Sequence, residues 1–199
     1  MKKLFATIFM VAAFSFASVN ANAQGYLEGN FGLSKYTQAI DDVDFDNTVT
    51  NFSIGYNLAI SSNLYFGGTL GYSNIKNDDN DDLNFNVYTI TPKLTYEYKL
   101  SNMFSWTPNV YFTFGYGSDE INVAGYKFGD VTYTNMRIGV NPLSFDIHLL
   151  PVLSINITAL TPYYNILSTS VDTKIGSREL KYDNTFVYLG GTIGVKFSL

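Results

Sequence analysis

Residues 187–199 read Val187-Tyr188-Leu189-Gly190-Gly191-Thr192-Ile193-Gly194-Val195-Lys196-Phe197-Ser198-Leu199. Taking every second residue separates two lists. Val187, Leu189, Gly191, Ile193, Val195, Phe197 and Leu199 are almost all apolar, while Tyr188, Gly190, Thr192, Gly194, Lys196 and Ser198 are small or polar. Successive side chains of a β-strand point to opposite faces, so this alternation predicts a strand with one greasy face. The same pattern recurs from Phe52 through Ile54, Tyr56 and Leu58 to Ile60, with Asn51, Ser53, Gly55, Asn57 and Ala59 between them.

Working outward, the reading predicts eight such segments, at about 25–35, 49–60, 64–75, 85–100, 104–118, 131–145, 150–165 and 184–199. No stretch combines a helical period with capping residues. The predicted connections alternate in length. Residues 36–48, 76–84, 119–130 and 166–183 form long ones, and Ser61-Ser62-Asn63, Ser101-Asn102-Met103 and a stretch near Asp146 to Leu149 form short ones. Of the 17 carboxylates, 14 fall in the long connections. An up-and-down barrel with short turns at one end and long loops at the other accounts for this sorting.

The N-terminus reads as a removable leader over residues 1–23. Lys2 and Lys3 precede an apolar run from Leu4 to Ala17, and Ala21-Asn22-Ala23 is a small-x-small cleavage site. Its 14 residues are too few for a hydrocarbon core, which needs about 20. The mature domain then spans 24–199, and loss of the two lysines takes the net charge from −5 to −7. An acidic chain has no broad basic face for nucleic acid. With no Cys and one His, a disulfide scaffold, a thiolate metal site and a Cys nucleophile are excluded, and no metal or cofactor is expected.

Alternation alone does not decide which face is wet. A lipocalin-like soluble binder would bury the greasy face, and a membrane barrel would turn it to lipid. The polar list is rich in Asn30, Gly32, Ser53, Gly71, Ser73, Thr113 and Asn141 and poor in Lys and Glu. That suits a narrow lumen better than a solvated surface. Tyr96, Tyr98 and Trp106 suit an interfacial aromatic girdle. About eleven strand residues at roughly 3.3 Å each, tilted about 40°, span about 28 Å, close to the apolar band of such barrels.

Six charges fall in the inward phase: Glu28, Lys93, Glu97, Lys99, Arg137 and Lys196. Charges in a narrow lumen need partners. Strands one and eight must pair to close a barrel, so Glu28 and Lys196 are expected within ion-pair range. The network is read as a structural plug. Asp42, Asp44 and Asp46 begin like a calcium loop but lack Gly at the sixth and Glu at the twelfth position. Asp78, Asp79, Asp81 and Asp82 read as a solvated loop. His148 is placed at a short turn, with no nucleophile near it in sequence, so no catalysis is expected. Arg178 and Lys181 read as surface charges.

The terminus Ile193-x-Val195-x-Phe197-x-Leu199 resembles the closing strand of outer membrane barrels. The opening Gly25-Tyr26-Leu27-Glu28-Gly29-Asn30-Phe31-Gly32 and the segment Asn141-Pro142-Leu143-Ser144-Phe145 resemble strands of the Bacteroidetes-type outer membrane β-barrel domain, within the small OmpA/OmpX-like barrels. Such chains commonly end in an aromatic residue; this one ends in Leu199. The resemblance implies an eight-stranded antiparallel transmembrane β-barrel exported to the cell outer membrane. It further implies contact with lipid and lipopolysaccharide, insertion by the barrel assembly machinery, a monomeric state and no enzymatic residues. The structural or surface-interaction role stands against two rivals, passage of small apolar solutes and a soluble exported lipocalin-like binder.

Overall fold

The computed structural model describes residues 24–40, 43–77, 84–123, 126–173, 176–186 and 190–199. The expected leader, residues 1–23, and Asp78, Asp79, Asp81 and Asp82 lie outside them. The described residues are all-β. The strands are β1 (Gly25–Ile40), β2 (Val43–Ala59), β3 (Leu64–Asn77), β4 (Asn84–Tyr96), β5 (Tyr98–Lys99), β6 (Phe104–Trp106), β7 (Asn109–Val123), β8 (Tyr126–Asn141), β9 (Ser144–Leu150), β10 (Leu153–Thr158), β11 (Tyr163–Thr173), β12 (Gly176–Phe186) and β13 (Gly190–Ser198). Every pairing is antiparallel, in the order β12-β11-β8-β7-β4-β3-β2-β1-β13-β10-β9-β6-β5. No helix among the described residues is long and apolar enough to cross a membrane.

Among the described residues the ladder thus runs in 13 segments, where eight uninterrupted strands were expected. Proline explains three of the cuts. Pro108 separates β6 from β7, Pro142 separates β8 from β9, and Pro162 precedes β11. A proline has no N–H to give the ladder. Its carbonyl still accepts, and all three are used: Tyr96 N donates to Pro108 O at 3.0 Å, Val140 N to Pro162 O at 3.0 Å, and the Trp106 indole Nε1 to Pro142 O at 2.7 Å.

The interruptions at Pro142 and Pro162 also change the phase. In β8, Gly139 is buried and Ile138 and Val140 are exposed. In β9, across Pro142 and Leu143, the even-numbered Ser144 and Asp146 are buried. The same slip separates Ser154, Asn156 and Thr158 of β10 from Tyr163 of β11. One extra residue in a strand flips every later side chain, so each break acts as a bulge. The two bulges lie side by side, bridged by Ala159 N donating to Leu143 O at 3.0 Å.

Four expected connections move. Strands β1 and β2 pair out to Ile40↔Val43, so Asp44 and Asp46 lie on a strand extension. Strands β7, β8, β11 and β12 extend likewise, to Val123↔Tyr126 and Thr173↔Gly176. Backbone pairing continues past the apolar stretch because a ladder needs only partners, whatever its side chains. The turn expected near Asp146 to Leu149 is at Pro151-Val152, and Asp146 and His148 sit inside β9.

The greasy face points outward. Ile138 and Ile193 are each 61% exposed, Phe112 44% and Phe197 51%, while Thr113 beside Phe112 and Lys196 beside Phe197 are 7% and 6% exposed. A lipocalin-type interior would show the reverse. The inner side is crowded: a Cβ on Gly194 would meet the Asn30 amide, and one on Gly67 the Tyr56 carbonyl and Asn57. With the outer face in hydrocarbon, Ile138→Arg should cost about 2–4 kcal/mol. Ile138→Phe should change stability by less than about 0.5 kcal/mol. Urea unfolding in lipid vesicles measures both.

Candidate functional site

The small polar residues of the inner face leave room for a few long charged side chains, and these meet one another. Glu28 of β1 and Lys196 of β13 are direct cross-strand partners, yet each finds its counter-charge elsewhere. Lys93 of β4 reaches Glu28, with Nζ 2.6 Å from Oε1 and 2.7 Å from Oε2. Lys196 Nζ donates to Asp146 Oδ2 of β9 at 2.7 Å and lies 4.7 Å from the centre of the Tyr26 ring. The expected Glu28–Lys196 pair is therefore replaced by two pairs, each joining strands that are not neighbours in the ladder. Both pairs are deeply buried, with side-chain exposures of 13% and 1% for Lys93 and Glu28 and 7% each for Lys196 and Asp146.

Asp146 is the hub. Its other oxygen, Oδ1, accepts from Asn156 Nδ2 at 2.6 Å and from Thr107 Oγ1 at 3.4 Å. Asn156 Nδ2 also lies 3.1 Å from Ser144 Oγ, which is 3.0 Å from Thr158 Oγ1. A buried carboxylate is tolerable only when its lone pairs are taken up, and here one ammonium and two neutral donors take them.

The remaining expected charges are placed apart. The Arg137 guanidinium lies over the Tyr163 ring, 4.2 Å from its centre. Lys99 is exposed on β5 and lines a cavity of about 830 Å3 at the end carrying the short turns. Glu97 lines it too, and its Oε1 accepts from Ser105 Oγ at 2.9 Å. Ser105 Oγ is 2.7 Å from His148 Nε2, and His148 Nδ1 is 2.8 Å from Ser154 Oγ. Sequence reading missed Asp146, His148, Asn156, Ser105 and Ser154 as interior groups. Restarting the alternation after Pro142 would have found the first two, since Ser144, Asp146 and His148 alternate with Phe145, Ile147 and Leu149. Among the described residues no group of three or more metal-ligating side chains converges.

A wall that is greasy outside and holds ion pairs and amides inside defines a transmembrane β-barrel. The chain belongs to the outer membrane protein beta-barrel domain family, whose model matches residues 4–199. It is similar in fold to a major outer membrane protein from Thermus thermophilus, with 10% identity, 89% of this chain and 100% of that chain covered, and a TM-score of 0.53. Weaker likenesses are to the Neisserial surface protein A (13% identity, 88% and 97% covered, TM-score 0.46) and the translocator domain of the autotransporter NalP from Neisseria meningitidis (11%, 98% and 95%, 0.42). No curated protein matches the chain. Its place is therefore the outer membrane.

Removing one member of the central pair should be severe. Lys196→Met, which leaves the Asp146 carboxylate uncompensated, should cost about 3–5 kcal/mol. Lys196→Met combined with Asp146→Asn should recover most of that loss, because the amide oxygen still accepts from Asn156. A double-mutant cycle by urea unfolding reads the difference.

Proposed function

We propose that the mature chain, from Gln24 onward, is a monomeric eight-stranded up-and-down barrel with a filled lumen and a structural or surface-interaction role, without a turnover reaction. The strand count is supported by chain continuity. Glu97 alone separates β4 from β5, and β6 and β7, β8 and β9, β10 and β11, and β12 and β13 are each consecutive in the chain. Joined so, they make eight strands, and each end of the pairing order runs on along the chain into a strand in its interior. Strand β5, at one end of that order, continues β4 in its middle, and β12, at the other end, leads into β13.

The observation that carries the functional reading is the pair of buried salt bridges, Lys93–Glu28 and Lys196–Asp146, set among hydrogen-bonded amides and hydroxyls. An eight-stranded lumen is just wide enough for side chains to fill it. Glu28, Lys93, Glu97, Lys99, Arg137 and Lys196, together with Asp146, serve as filling that needs no cargo. The outward apolar face suits contact with lipid. The acidic hairpins, opposite the short turns, suit display to the outside, where lipopolysaccharide or a host or envelope partner meets them. Residues 1–23 act as the export signal, and the C-terminal strand is what the assembly machinery reads. Passage of a small apolar solute is the rival, favoured only by the cavity at the short-turn end.

Planar bilayer recording separates the two. The purified barrel should give no steady conductance and no flux of an apolar tracer into vesicles. Stable channels or tracer flux in the unaltered protein would replace this reading with transport.

A further inference from the structure

The cavity at the short-turn end holds an arrangement that neither the ion pairs nor the membrane fit requires. Four polar side chains form one line: Glu97 between β4 and β5, Ser105 on β6, His148 on β9 and Ser154 on β10. Hydrogen-bond chemistry fixes its direction. An ionised carboxylate only accepts, so the single Ser105 hydroxyl hydrogen goes to Glu97 Oε1 at 2.9 Å. The Ser105 oxygen must then accept from His148, which makes Nε2, 2.7 Å away, the protonated ring nitrogen. In a neutral imidazole Nδ1 then carries the lone pair, and it accepts the Ser154 hydroxyl at 2.8 Å. Glu97 lies 3.8 Å from Nε2, close enough to steady an imidazolium.

This is a nucleophile, a base and an orienting acid in sequence, the logic of an activated hydroxyl. The two serines are not equivalent. Ser105 is fully buried, while Ser154, itself only 6% exposed, lines the cavity together with His148, Glu97 and Lys99. At about 830 Å3 the cavity falls within the size of small-molecule sites. Lys196, the direct cross-strand partner of Ser154, also lines it, with its ammonium held by Asp146.

We propose that Ser154 is an acyl acceptor, modified by carboxylic esters that enter the cavity at the short-turn end. Ser154 Oγ attacks the ester carbonyl carbon and its proton passes to His148 Nδ1. The carbon–oxygen bond to the leaving alcohol breaks, and that proton moves from Nδ1 to the departing oxygen. Ser154 is left as an ester and the histidine neutral. His148 is the base; Ser105 and Glu97 are positioning residues. The step is stoichiometric, so it adds to the structural role without altering it.

The test uses the folded barrel in detergent and p-nitrophenyl butyrate. The expected result is a burst of one nitrophenolate per chain and a butyryl group on the peptide holding Ser154. Ser154→Ala should abolish the adduct, and His148→Gln should slow it about 100-fold. Heat-modifiable gel mobility confirms that each variant is folded. Because the chain has one histidine, 15N labelling of that residue also reads the relay in the unaltered protein. In the neutral ring the Nε2–H tautomer should dominate, and Glu97→Gln, whose amide can accept from or donate to Ser105, should weaken that preference. No adduct on Ser154, equal rates in His148→Gln, or an Nδ1–H tautomer would overturn the proposal.

Discussion

A peptide group in hydrocarbon has no water to bond, and that constraint orders this molecule. Every backbone N–H and C=O at membrane depth must find a partner inside the protein. An antiparallel ladder supplies them, and once it curves round to meet itself, side chains have only two destinations. Apolar ones meet acyl chains at little cost. Polar ones share a narrow interior and must satisfy one another. The outward Ile138 and Ile193, and the inward Asp146 and Asn156, are two consequences of the same rule.

Prolines test that rule, and the structure shows how it is kept. Pro108, Pro142 and Pro162 withhold three donors from neighbouring strands, yet their carbonyls are all used, one by the Trp106 indole. Trp106 is thus more than an outward aromatic. It closes the gap that a bulge opens in the ladder, and the bulge in turn aims Asp146 and His148 inward.

Much of this was legible from alternation alone. The phase of β1, β7 and β13 follows from an unbroken period of two, so the outward Phe31, Phe112 and Phe197 and the inward Glu28, Thr113 and Lys196 could be read directly. The reading failed where the period broke. Carried through Pro142 without a reset, it left Asp146 and His148 in a turn and hid the hub of the interior. Pairing partners failed for a different reason. Register makes Glu28 and Lys196 neighbours. The choice between two cations and two anions depends on reach across the lumen, which no one-dimensional pattern contains. Hairpin length was underestimated because polar residues such as Asp44 and Asp46 read as loop, although a ladder outside lipid tolerates them.

The most direct measurement is solvent and lipid access along one strand. The chain has no cysteine, so single cysteines at positions 110 to 115 of β7 can each carry a nitroxide without background. Collision with oxygen dissolved in the bilayer should be high at 110, 112 and 114 and low at 111, 113 and 115, with a polar relaxant excluded from the first set. Oxygen access at the odd positions, or an aqueous relaxant reaching the even ones, would contradict the account.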